Sequence, residues 1–223
     1  GVFGMVSRES ALIVNNVLLA VSCFVVFVGT MWPMVAEMMF DRKLSVGAPF
    51  FNAAFSPFMV LLGLVLPIGA LLPWKRGRIG KTAWSLRYAF GLALAIALLV
   101  WAMQTGRSAL GPVGLFLGAW ITFGAAIDLW SRTGRNGSLK RLFRLPGADW
   151  GKAVAHTGLG VTIFAVAGLT AWEDEDIRVA QPNQPFEVGQ FTLTLKDVRQ
   201  VEGPNYFSTT ADVLVEKNGR LMG

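Results

Sequence analysis

The sequence predicts an all-α polytopic membrane helix bundle of about five transmembrane helices, followed by a small partial β domain. Three observations carry this. Of the 223 residues, 53% are hydrophobic and only 15% charged, against about 25% charged in soluble domains. The apolar residues collect in runs of about 20, the length that crosses the ~30 Å hydrocarbon core as a helix. After Trp172 the pattern changes: Phe191, Leu193 and Leu195 alternate with Thr192, Thr194 and Lys196, the period of a half-buried strand.

Five spans are expected, at about residues 11–38, 57–74, 86–103, 110–130 and 152–172, with boundaries good to about two to four residues. The first is long enough to tilt. Pro33 and Pro67 lie near span ends, where a kink is tolerated. Trp32, Trp74, Trp101, Trp130 and Trp172 also fall near span ends, and an indole, apolar with one N–H donor, sits well at the headgroup level. Trp120 falls mid-span and is expected between helices. Small residues are dense in the last two spans, among them Gly114, Gly118, Gly158 and Gly160, and such residues let helix backbones approach closely. The Gly114–Gly118 spacing alone is weak, because it recurs by chance in glycine-rich spans.

The loops orient the spans. Lys75, Arg76, Arg78, Lys81 and Arg87 lie between the second and third spans with no acid among them. Arg132, Arg135, Lys140, Arg141 and Arg144 lie between the fourth and fifth, against Asp149 alone. Arg107 is the one charge between the third and fourth, and Glu173, Asp174, Glu175 and Asp176 follow the fifth. The positive-inside rule puts the basic loops in the cytoplasm. The N-terminal end is then inside, and the tail from residue 173 outside.

The net charge is +6, but residues 1–172 carry +10 and residues 173–223 carry −4. The positive charge sits in short loops between apolar runs, so a nucleic-acid partner is not expected. The tail is read as the opening of an extracytoplasmic β domain, incomplete here, because two strands cannot stand alone. Asn218-Gly219 is a good hairpin turn within it. The chain begins without Met and ends in a strand-like run at Gly223, so it is expected to be an interior piece of a longer protein. No secretory signal is evident in the first apolar run.

Little chemistry is legible. No Gly-rich phosphate loop, GxSxG motif or Cys/His pair is present. Cys23 is alone in the first span, where packing is its expected role. With one Cys and one His, a structural zinc site is excluded. The outer loop at residues 45–52 is aromatic and turn-prone. Asn15 and Asn16, two amides in an apolar run, need partners and are expected to bond between helices. Asp128 and Glu37 are expected at the interfaces. Arg8 and Glu9 are expected to pair with each other or to cap a helix.

His156 is the sharpest candidate. It is the sole histidine and lies about 6 Å in from Lys152 at 1.5 Å per residue. An ionisable group within a span is a functional candidate by default, and neutral imidazole is the common axial ligand of haem iron. Ala155, Gly158 and Gly160 leave room for a flat ring. The residues alone leave two readings open: a ligand or proton relay, and a neutral histidine bonded to a neighbouring helix.

Taken in order, Ser7-Arg8-Glu9, Asn15 to Leu19, Gly29-Thr30-Met31-Trp32-Pro33, Ser45 to Asn52, Ala155-His156-Thr157-Gly158, Phe191 to Val198 and Glu202-Gly203-Pro204-Asn205 resemble a known family. The series is similar to the C-terminal half of the CcmF family of cytochrome c-type biogenesis proteins, the haem lyase component of the bacterial cytochrome c maturation system. The resemblance covers nearly the whole chain. It implies a multi-pass protein of the bacterial inner membrane with a periplasmic C-terminal domain. It implies a part in attaching haem to the CxxCH motifs of apocytochrome c on the periplasmic side, with a haem chaperone and thiol-handling maturation proteins as partners. It further implies that His156 is an axial ligand of the iron of a structural haem b, with the second ligand outside this chain. The family's WWD segment, its flanking histidines and that second ligand are absent, and the resemblance places them upstream of Gly1; the chain is not expected to be active alone. Two other classes stay in view: a haem or solute transporter subunit, which predicts inverted repeats or broken mid-membrane helices, and a membrane scaffold with an outer docking domain.

Overall fold

The structure is a computed structural model that describes residues 4–105, 108–134, 137–173, 176 and 178–222. The charged residues Arg107, Arg135, Asp174 and Glu175, and the terminal Gly223, lie outside the described residues. The chain divides into two compact units: Gly1–Met103 with Ser108–Thr170, and Gln104–Arg107 with Ala171–Gly223.

The helices are α1 (Arg8–Phe40), α2 (Ala48–Ala54), α3 (Ser56–Leu71), α4 (Ile79–Met103), α5 (Leu110–Ser131), α6 (Leu139–Leu142) and α7 (Gly147–Trp172). By length and composition α1, α4, α5 and α7 can each cross a membrane, and α2 with α3 makes a fifth candidate bent by 45°. Alone, the 16 residues of α3 reach about 24 Å, short of the ~30 Å core. The break falls at Phe55, between the 7 residues of α2 and the 16 of α3. The five boundary tryptophans are all exposed.

Local chemistry sets the ends. Ser7 caps α1, its hydroxyl accepting from the Ser10 N–H at 3.2 Å, which satisfies one orphan donor of the first turn. Asp41 closes α1 in the left-handed region at φ 51°. The basic ends of α4 and α7 start earlier than the hydropathy suggests, at Ile79 and Gly147. A helix that already bonds its own backbone can run on past the hydrocarbon.

The core lies on α5. Leu86, Ala89 and Ala93 of α4 meet Ala119, Trp120 and Ile121 of α5, all buried. On another side, α5 accepts α3: a Cβ at Gly124 would stand 2.5 Å from Cβ of Pro67. The Trp120 indole donates to the Leu64 carbonyl at 3.1 Å, a turn before Pro67. On a third side α5 meets α7, where a Cβ at Gly114 would lie 2.5 Å from Cβ of Ala167, and one at Gly118 would lie 2.6 Å from the Gly160 carbonyl oxygen. The GxxxG that was weak as a motif is therefore the α5–α7 seam. On α1, Gly29 receives the rings of Phe50 and Phe51, so the aromatic loop packs back on the first helix as α2.

The second unit holds four antiparallel strands in the order β1 (Pro185–Val188), β2 (Phe191–Glu202), β3 (Phe207–Lys217) and β4 (Arg220–Leu221). In β2–β3 Leu193 faces Val215 and Leu195 faces Val213, and a bulge follows at Leu195/Asp197. Thr194 and Leu195 are buried. The β3–β4 turn is Asn218-Gly219, both with positive φ (51° and 73°), as a type I′ hairpin requires.

Candidate functional site

His156 lies on α7, nine residues into the helix and one turn after Lys152. That is about 14 Å from the helix start at 1.5 Å per residue, because α7 begins before the expected span. The side chain is half-buried and faces a cavity of about 280 Å³ between three helices. Leu12 and Asn15, with Arg8, come from α1; Leu66, Gly69 and Ala70 from α3; Lys152 and His156 from α7. Close approach of α1 to α3 makes this possible, since a Cβ at Gly69 would stand 3.0 Å from Cβ of Ala11.

Arg8 is fixed by the C-terminal end of α3. Its guanidinium donates to the carbonyls of Leu72 (Nε, 3.0 Å) and Ala70 (Nη2, 2.9 Å), and it stacks over Trp74 at 5.2 Å. Orphan carbonyls at a helix C-terminus favour a cation there. Glu9 accepts from the Lys75 N–H with both oxygens, at 3.0 and 2.9 Å. Of the two expectations the Arg8–Glu9 pair does not form, since successive helical residues point apart, whereas the helix cap does: Arg8 caps the C-terminal end of α3, and Glu9 takes the Lys75 amide.

Asp128, expected at the interface by its depth along the span, is buried against neighbouring side chains, with 3% of its surface exposed. Its carboxylate holds Lys152 at 2.5 Å and Arg132 at 3.3 Å, and Arg132 reaches on to Asp149 at 2.7 Å. The network ties α5 to the start of α7 and fixes the cation one turn below His156. Asn15 bonds to Asn16 at 3.3 Å instead of bonding between helices. Cys23 is a free, exposed cysteine. Among the described residues no three His, Cys, Asp or Glu side chains are grouped to hold a metal ion.

The arrangement thus brings together one imidazole, two cations, one amide and an apolar wall. An imidazole lone pair can ligate a metal already held in a planar group; the cations can face its anionic substituents. Sequence reasoning singled out His156 but missed Arg8 and Lys152 as its neighbours. The signal was partly there: Lys152 and His156 are spaced i, i+4, as are neighbours on one helix face.

The same architecture is found in known proteins. The family model for the CcmF C-terminal β-sandwich matches residues 171–223; the described residues there form one four-stranded sheet. The cytochrome c-type biogenesis protein Ccl1 of Rhodobacter capsulatus is 54% identical over 100% of this chain and 34% of its own length. This chain belongs to the CcmF family. CcmF of Escherichia coli is 34% identical over 96% of the chain and 32% of its own length. The chain therefore spans about a third of the length of the CcmF relatives it matches, and corresponds to their C-terminal part. A solved structure named cytochrome c haem lyase CcmF superposes with a TM-score of 0.59 at 24% identity, over 98% of this chain and 34% of that one, which supports the fold. These relatives are named for cytochrome c-type biogenesis, and the apolar helices of this chain agree with a multi-pass membrane protein.

Proposed function

We propose that this chain is part of a cytochrome c haem lyase, which attaches haem to the CxxCH motifs of apocytochrome c on the periplasmic side, and that His156 is one axial ligand of a structural haem b. The cavity at His156, with Arg8 and Lys152 at its rim, is the observation that carries the site. The residues fit the group. The His156 imidazole would supply the donor nitrogen; Arg8 and Lys152, still held by the α3 carbonyls and Asp128, would turn positive charge toward its anionic substituents; Leu12, Leu66 and Ala70 would supply an apolar face. At about 280 Å³ the cavity falls just below the ~300–1,000 Å³ usual for ligand sites. These helices would thus form one wall, with the second ligand outside this chain.

When bound, such a haem would supply a one-electron couple tuned by its ligands and burial. The chain's own part is positioning. Asp128 holds Lys152, the α3 carbonyls hold Arg8, and the α1–α3 contact at Ala11 and Gly69 sets the cavity width.

Orientation follows from the loops. The start of α1, the end of α3 and the start of α7 meet around this cavity, so the basic loops share one end of the helical unit. The positive-inside rule makes that end cytoplasmic. The acidic run and the domain of residues 173–223 are then periplasmic, and the membrane is the bacterial inner membrane. Apocytochrome c, a haem chaperone and thiol-handling proteins are the partners this reading requires.

The test is the visible spectrum of the purified full-length protein, wild type against His156→Ala at equal protein. Loss or a marked change of a b-type spectrum in a folded protein is expected. An unchanged spectrum would return His156 to helix packing.

A further inference from the structure

A second cavity, of about 500 Å³, opens where α3 hands over to α4. Arg76, Arg78 and Lys81 line it with Thr82 and Ser85, and Leu71 lines its apolar side. Among the described residues no acidic side chain lines it. Among the described residues these three cations make no ion pair, unlike Arg132, Lys152, Arg178 and Arg199. The first turn of α4 also carries no acid, so its free N–H groups add positive potential at the same place.

The loop is built rather than slack. Gly4 N–H donates to the Lys75 carbonyl at 2.7 Å, and Gly77 N–H to the Val6 carbonyl at 2.7 Å. Glu9, which reaches this loop, is engaged by the Lys75 N–H. Lys75 itself is held in the left-handed region at φ 68°, a conformation that costs a non-glycine residue free energy and persists where neighbours over-determine it. Exposed Trp74 and Trp84 flank the cavity in sequence and suit the headgroup level of a bilayer.

Three unpaired cations, hydroxyls and an apolar side at the end of two spanning helices match an anion that carries acyl chains. We propose that this cavity binds the phosphate headgroup of an anionic phospholipid, of the phosphatidylglycerol or cardiolipin class. Basic pockets between membrane helices at the interface recognise such headgroups. The site is separate from the His156 cavity and does not depend on how that cavity is read.

The experiment uses full-length protein, delipidated and returned to nanodiscs of phosphatidylcholine with or without phosphatidylglycerol. Retained lipid is read by native mass spectrometry and stability by the apparent melting temperature. Wild type is expected to retain phosphatidylglycerol and to melt higher with it. The triple variant Arg76→Gln/Arg78→Gln/Lys81→Gln is expected to lose retention by about tenfold or more. The equally discharged variant Lys140→Gln/Arg141→Gln/Arg144→Gln is expected to match wild type. Where the first triple does not fold, the three single variants are each expected to lose part of the retention. Equal loss in both triples, no preference in wild type, no loss in the singles, or the same stabilisation by inorganic phosphate alone would each overturn the proposal.

Discussion

The Asp128 carboxylate lies 2.5 Å from the Lys152 ammonium, with only 4% of the Asp128 side chain exposed against 29% for Lys152. One carboxylate on α5 thus holds the first turns of α7 in place. A buried charge that loses its partner is costly, although solvent at the lysine side moderates the effect.

Asp128→Ala is therefore expected to destabilise the full-length protein by about 1–3 kcal/mol. Lys152 and Arg132 lose their shared anion. The measurement is the apparent melting temperature in detergent. Asp128→Leu combined with Lys152→Met is expected to recover much of the loss, because an apolar pair of similar volume can replace a buried ion pair. If Asp128→Ala melts with wild type, the network is ornamental.

Gly118→Val and Gly160→Val are expected to separate α5 from α7. A Cβ at Gly118 would meet the Gly160 carbonyl at 2.6 Å, and one at Gly160 would meet Thr122 Oγ1 at 2.4 Å. Overpacking of this kind costs about 1–3 kcal/mol. Gly158→Ala is the control, since nothing lies within 4 Å of a Cβ there. Melting temperatures of the three variants check the seam; equal values would mean that α5 and α7 do not pack through these glycines.

Trp120→Phe removes the indole N–H that the Leu64 carbonyl accepts while keeping much of the ring. The expected loss is about 0.6 kcal/mol, the average measured for interhelical hydrogen bonds in a membrane protein, and no more than about 1.7 kcal/mol. Trp120→Ala is expected to cost more, about 3–5 kcal/mol, through the cavity it leaves in the α4–α5 core. Unfolding in graded denaturant separates the two.

Gly219→Val is expected to loosen the β3–β4 turn, because a β-branched residue is strained at φ 73°. Asn218→Gly is expected to be nearly silent, since glycine enters the left-handed region freely. Hydrogen exchange at the amides of residues 214–222 in the full-length protein reads the difference. Equal protection in both variants would mean that the turn does not hold this end of the sheet.

Much of the fold was legible because a membrane leaves few choices. Apolar runs, basic loops and boundary tryptophans mark helices whose backbone must bond to itself, and alternation from Phe191 to Lys196 marks a strand. Asn218-Gly219 announced its own turn. The site was legible only at His156, as a lone ionisable group inside a span. Its neighbours were not, because Arg8 reaches the cavity only through the fold of α1 against α3. The burial of Asp128 was not legible because sequence gives depth along a helix but not which face meets another helix. Gly114 and Gly118 were silent for the same reason: spacing cannot say which helix lies opposite.

The clamp between Glu9 and the Lys75 amide joins residues 66 apart in the chain. A ribosome adds about 5–20 residues per second, so Lys75 emerges roughly 3–13 s after Glu9. For that time α1 has nothing in this chain to fasten its basic end. Its contacts with this loop wait until α3 has been made and its last carbonyls reach Arg8. The order of synthesis thus makes the α3–α4 loop the latch, and a stall before Lys75 would leave α1 without its hold on α3.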